Sequence, residues 1–174
     1  MKKYLFVLLL LIILGSFYQL LAGNRTGYLK KNLYTDNPSA EIYFGSHAVG
    51  GRVHVWTDKT DGRLYSDPEK TVEYGYAENP ASLSFTGKKK GAFYEAVIKP
   101  EIPKGQLAET LHDALGEYEK KYYEQCSTCH AAAEFNRYNR ERWEGILKSM
   151  QQHSGISAEE IGAIRRYILL SITN

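Results

Sequence analysis

A chain of 174 residues is long enough for one compact domain or two small ones. Its 43% hydrophobic and 24% charged residues are the mixture of an ordinary globular protein, which argues against a disordered chain. The 22 lysines and arginines are nearly balanced by 20 acidic residues, so the sequence lacks the basic excess that nucleic-acid binding requires and predicts no nucleic-acid partner.

Residues 1–23 predict export across a membrane. Lys2 and Lys3 precede an uncharged apolar run over residues 4–23, which is the layout of a signal peptide. The run also reaches the length of about 20 residues that spans a bilayer. Because Leu20 is bulky where signal peptidase prefers a small residue, a cleaved signal peptide and an uncleaved membrane anchor both remain open. In either case the remainder is expected in the periplasm, free or anchored to the inner membrane.

Residues 27–105 predict a small β-rich domain, folded as a barrel or a sandwich. Short runs of β-forming residues are separated by turn signals, among them Asp61-Gly62 and the glycines of segment 87–91. Two prolines and a glycine in segment 99–105 predict a linker at its end. The candidate strands are residues 41–44, 52–56, 63–65, 71–76, 82–85 and 92–98.

Residues 106–174 change to helical periodicity and predict three helices. The third begins with a capping box, in which Ser157 precedes Glu160 by three residues. The expected fold class is therefore α+β, with a small β-rich N-terminal segment followed by a three-helix domain over residues 106–174. The apolar positions of the three helices are Leu107, Leu111, Ala114 or Leu115, Tyr118 and Tyr122; then Trp143, Ile146, Leu147 and Met150; then Ile161, Ile164, Ile168 and Ile172.

The chemistry of the sequence is concentrated in the pentapeptide Cys126-Ser127-Thr128-Cys129-His130, which contains both cysteines of the chain. The spacing C-x-x-C-H is that of a c-type haem attachment site. Two thiols at this separation can each add to a vinyl group of one porphyrin, and the histidine that follows lies under the iron. The motif therefore predicts one covalently bound haem c, with His130 as the proximal axial ligand. With this motif, the three-helix domain is expected to be a cytochrome c-like haem domain.

Three other interpretations of the pentapeptide are less favoured. A structural zinc site usually takes four ligands from two pairs, and the sequence has no second cysteine pair. A thioredoxin-like redox pair requires a βαβ setting, which the flanking helical periodicity does not supply. A plain disulfide suits an oxidising compartment but gives His130 no role.

Met150 is the candidate for the sixth, distal ligand of the iron. Apart from the initiator it is the one methionine in the chain, and a His/Met pair suits reversible electron transfer. The competing possibilities are that Met150 only fills the core, that His153 is the ligand, or that the sixth position is open.

The runs over residues 122–133 and 143–150 resemble the C-terminal monohaem domain of the multihaem cytochromes that donate electrons to periplasmic trimethylamine N-oxide reductase. The resemblance implies thioethers at Cys126 and Cys129, proximal ligation by His130 and distal ligation by Met150. The quinol-oxidising multihaem half of those proteins has no counterpart here.

These observations predict an electron-transfer protein rather than an enzyme. Its expected donor is a membrane quinol-oxidising protein or a cytochrome, and its expected acceptor is a periplasmic molybdenum reductase of the S- or N-oxide type. The alternatives are a haem-based sensor or haem enzyme with an open or displaceable sixth ligand, and a structural cytochrome subunit that relays charge within a larger complex.

Overall fold

The computed structural model of the protein describes residues 25–128 and 131–172, except for the side chains of residues 153 and 154. The predicted signal peptide or anchor, residues 1–23, lies outside the described residues. Cys129 and His130 lie outside them as well.

Ten strands form one curled antiparallel sheet, a half-barrel, in which eight strands follow the order β10-β1-β4-β5-β6-β7-β3-β2 and β8 and β9 lie off this path. The central strand β5 pairs with β9 along one edge, and its other edge is shared by β4 and β6. Strand β8 pairs in turn with β9. The strands are β1 (Gly27–Leu29), β2 (Leu33–Asp36), β3 (Ser39–Ile42), β4 (His47–Val49), β5 (Arg52–Thr57), β6 (Arg63–Tyr65), β7 (Glu73–Ala77), β8 (Ser84–Lys90), β9 (Phe93–Ile98) and β10 (Leu107–Ala108).

Three helices follow the sheet: α1 (Leu111–Cys126), α2 (Arg140–Ser154) and α3 (Ala158–Ile172). Thr110 caps α1, where its side chain accepts a hydrogen bond from the Asp113 backbone N–H at 3.1 Å. The predicted capping box at α3 is confirmed, because Ser157 and Glu160 exchange side-chain-to-backbone hydrogen bonds of 3.1 and 3.2 Å.

Two hydrophobic clusters hold these layers together. The concave interior of the sheet is filled by aliphatic side chains such as Ile42, Val53 and Ile98, all of which are almost fully buried. The second cluster, here called the helical core, joins the three helices to the sheet through Phe44, whose ring stacks on that of Tyr118 at 3.5 Å.

The predicted fold class, with its small β-rich N-terminal segment and a cytochrome c-like three-helix domain, is wrong. The strand-rich region is a ten-stranded sheet rather than a small segment, and its last strand, β10, lies beyond the predicted linker. The sequence predicted neither β10 nor strands β1, β2 and β4. These strands have two to four residues each, which is too short for the alternation of apolar and polar residues to be recognised in the sequence. They are defined by their pairing with neighbouring strands.

Two further expectations differ from the structure in detail. The first helix was expected to begin near Leu107, but that residue pairs with Leu29 in the sheet, and α1 begins only after Thr110. The glycine segment 87–91 was expected to interrupt the strands. Instead β8 runs through Gly87, with an irregular register against β9, and the chain reverses only at Gly91.

The outer face of the sheet carries a buried carboxylate at Glu95 of β9, which is 6% exposed. The Thr86 hydroxyl donates to it at 2.6 Å, the Lys88 ammonium lies 3.2 Å from its oxygens, and His54 Nδ1 lies at 3.5 Å. Burial alone would raise the pKa of Glu95, but these three neighbours together hold that pKa below its usual value.

Candidate functional site: the end of helix α1

Cys126 lies at the C-terminal end of helix α1 and is part of the helical core. Leu115, Tyr118, Tyr122 and Cys126 follow one another at intervals of three or four residues and form one buried stripe of the helix. Cys126 is the last helical residue and is only 4% exposed. Burial among apolar side chains raises the pKa of its thiol to about 11, so the side chain behaves as a hydrophobic group at neutral pH.

The pentapeptide leaves the helix at this point. The Ser127 backbone N–H still bonds the Tyr123 carbonyl at 3.1 Å, and the Thr128 hydroxyl donates to the Gln125 carbonyl at 2.5 Å. Where the description resumes, Ala132 and Ala133 pack against the helical core. Cys126 and the pair Ala132 and Ala133 therefore contact the same helical core, while Ser127 and Thr128 are exposed.

Tyr122 connects helix α1 to the segment that follows the pentapeptide. Its hydroxyl donates to the backbone carbonyl of Ala133, and its ring, 1% exposed, lies 5.4 Å from Phe135 and 5.9 Å from Tyr167. Burial raises the pKa of Tyr122 to about 12, so the phenol keeps its proton and acts as a donor. The sequence marked Tyr122 only as a helical core position, because hydrogen bonds between segments leave no sequence signal.

Helix α2 adds a second tether to the same segment. The side chain of Asn139 caps the helix by accepting a hydrogen bond from the Arg142 backbone N–H at 2.9 Å. One turn later the indole Nε1 of Trp143 donates to the Phe135 carbonyl at 2.9 Å. The segment that follows the pentapeptide is thus held by side chains from both α1 and α2.

Met150 lies on the predicted face of α2, two turns beyond Trp143. It is partly buried and packs against the helical core, as do Ile146 and Leu147. Cys126 and Met150, from two different helices, therefore belong to the same apolar cluster. The side chain of the competing ligand, His153, lies outside the described residues.

The residues around Cys126 fit a covalently attached haem in their chemistry. The described portion offers a thiol for thioether attachment, a methionine sulfur as a soft iron ligand, and aromatic and aliphatic side chains to cover a flat apolar ring. In the described ranges, no group of three or more His, Cys, Asp or Glu side chains is arranged to hold a metal ion, and Cys129 and His130 fall outside that search.

Comparisons of the chain with protein-family models, with curated proteins and with solved structures find no match. In residues 25–128 and 131–172, no helix has the length and apolar character required to cross a bilayer.

Proposed function

We propose that this chain is a monohaem c-type cytochrome. The observation that carries the proposal is that Cys126, the first residue of the C-x-x-C-H motif, is buried in the same apolar cluster as Met150. A cluster that contains a thiol from α1 and a methionine from α2, two helices that both pack on α3, could surround a haem and supply its distal ligand. The motif provides the remaining thiol and the proximal histidine.

In this proposal each residue has a separate role. Cys126 and Cys129 hold the haem through thioethers, His130 is the proximal ligand and Met150 is the distal ligand. A bound haem would supply an iron that gains and loses one electron. The aromatic residues of the helical core would exclude water from it, and Tyr122 and Trp143 fix the backbone after the motif. Because His130 and Met150 would both hold the iron and leave no position for a substrate, the proposed role is that of a carrier and not of an enzyme.

The particular role we propose is electron delivery to a periplasmic molybdenum reductase of the S- or N-oxide type. A membrane quinol-oxidising protein or another cytochrome would be the donor. This finer assignment is supported by the sequence resemblance over residues 122–150 alone. The N-terminal segment would either be removed after export or hold the carrier at the inner membrane.

The ligand assignment is tested by optical and magnetic circular dichroism spectra of the oxidised full chain. Wild type is compared with Met150→Ala and with Ile146→Ala, a matched control in the same cluster that removes no sulfur. We expect a sulfur-to-iron charge-transfer band in wild type and in Ile146→Ala, and its loss in Met150→Ala.

A high-spin spectrum in wild type, with ready binding of carbon monoxide, would contradict the carrier and favour a haem-based sensor or enzyme with an open sixth position. A bis-histidine spectrum that is unchanged in Met150→Ala would contradict Met150 and favour His153 as the ligand.

A further inference from the structure

A cleft of about 970 Å³ lies between the sheet and helices α1 and α3. Tyr43, Phe44 and Glu73 line it from the sheet side, and Tyr118 and Arg166 line it from the helices. Neither Cys126 nor Met150 is among its lining residues, although Phe44 and Tyr118 belong both to the cleft and to the helical core. Its volume lies within the range of about 300–1,000 Å³ that is usual for small-molecule sites.

Arg166 places a positive charge in the cleft, and its hydrogen bonds go to uncharged groups rather than to a carboxylate. Its Nε donates to the Phe44 carbonyl at 2.7 Å, one Nη donates to the Glu73 carbonyl, and the other lies 3.5 Å from the Ser46 hydroxyl. All three acceptors are uncharged, and Arg166 takes part in none of the ion pairs within the described ranges.

The guanidinium of Arg166 carries five N–H groups. Its three contacts to the protein use three of them, which leaves two for a ligand. Burial lowers the pKa of Arg166 to about 10, which still leaves the side chain charged at neutral pH. An incompletely neutralised cation with free donors in a cleft favours the binding of an anion.

The phenol of Tyr43 lies beside this guanidinium, and that of Tyr118 stacks on the neighbouring ring of Phe44. The Arg166 Cζ atom is 5.2 Å from the ring centre of Tyr43 and 5.3 Å from that of Phe44, and Phe44 in turn stacks on Tyr118. In the described part of the chain, neither phenol hydroxyl has a hydrogen-bond partner. Burial raises the pKa of Tyr43, and it raises that of Tyr118 to about 12, so both keep their protons and can donate.

The other charges of the cleft balance one another. Its lining holds four further cations and four carboxylates, and Lys31 and Lys121 are both engaged by Glu117 at 3.8 and 3.6 Å. Glu73 contributes a carboxylate close enough to interact with the charge of Arg166. With Arg166 included, the lining carries one more cation than carboxylates, which favours a ligand with a single negative charge.

We propose that the cleft binds the carboxylate group of a small organic acid. Arg166, Tyr43 and Tyr118 donate to the carboxylate oxygens, which accept several hydrogen bonds at once. The aromatic and aliphatic walls, which include Phe44 and Leu169, cover the apolar part of the ligand. The proposal is independent of the haem.

The test is a titration of the full chain with benzoate, followed by NMR and compared with benzamide, its neutral analogue. We expect benzoate to bind and benzamide to bind at least tenfold more weakly. Tyr43→Phe and Tyr118→Phe keep the rings in place and each remove one donor, so each is expected to weaken benzoate binding roughly threefold to tenfold. Tyr123→Phe, on a residue that does not line the cleft, is the matched control and should leave the affinity unchanged.

Three results would overturn the proposal: no benzoate binding in the millimolar range, equal binding of benzoate and benzamide, or full affinity in both cleft variants. The affinity does not depend on whether the iron carries electrons, so this outcome is distinct from the outcome of the spectroscopic test.

Discussion

Replacing Tyr122 with phenylalanine removes the hydrogen bond that links helix α1 to the segment after the C-x-x-C-H motif. The ring contacts with Phe135, Trp143 and Tyr167 remain, because the substitution removes only the hydroxyl group. What is lost is the hydrogen bond to the carbonyl of Ala133, a residue that is partly buried against the helical core. Loss of such a hydrogen bond costs about 0.5–1.5 kcal/mol. For a chain of this size each kcal/mol lowers the melting temperature by about 2–4 °C.

Urea unfolding of the full chain, followed by circular dichroism, measures this loss directly. The matched control is Tyr123→Phe, because Tyr123 is the neighbouring tyrosine, is 44% exposed and is expected to change the free energy of unfolding by less than about 0.5 kcal/mol. If the two variants unfold at the same urea concentration, the tether contributes no stability and our account of this segment is wrong.

Two further predictions concern titratable groups. Because the folded-state pKa of Glu95 is depressed, its stabilising contribution is present above its unfolded pKa of about 4.3 and is lost as the pH falls through the folded value. Glu95→Gln should therefore flatten the acid limb of the stability–pH curve, and exposed Glu101→Gln should not; identical curves for the two variants would contradict this. In a haem-free Cys129→Ser chain, the buried thiol of Cys126 should react slowly with iodoacetamide at pH 8 and much faster in urea. Fast alkylation without urea would show that Cys126 is not buried.

The buried faces of the second and third helices were predicted correctly from the sequence. The α2 face of Trp143, Ile146, Leu147 and Met150 and the α3 stripe from Ile161 to Ile172 all lie in the helical core. These patterns succeed because a helix buries every third or fourth residue over several turns, which gives a long and repeated signal.

The sheet was predicted less well, and the connections between segments were not predicted at all. Strand β10 has two residues and is defined by its pairing with β1, which lies about eighty positions away in sequence. Arg166 looks like an exposed helix residue in the sequence, yet it reaches carbonyl groups of Phe44 and Glu73 in the sheet. Local periodicity carries no information about such contacts, and the cleft beside Arg166 was missed for the same reason.

In the candidate site, too, the functional residues were predicted from the sequence and the contacts between segments were not. The C-x-x-C-H motif was found from its spacing, and Met150 was found because it is the one methionine of the chain apart from the initiator. The hydrogen bonds that Tyr122 and Trp143 make to the following backbone became visible only once the helices were packed together.

The central claim is that Cys126 and Cys129 hold a haem covalently, and the intact mass of the denatured full chain tests it most directly. For the wild type we expect the mass of the polypeptide plus one haem, and we expect the haem to remain attached after denaturation and acidic extraction. When both cysteines are replaced by alanine, we expect acidic extraction to leave no haem on the polypeptide. A mass equal to that of the bare polypeptide, or to the polypeptide less two hydrogens as in a disulfide, would contradict the claim.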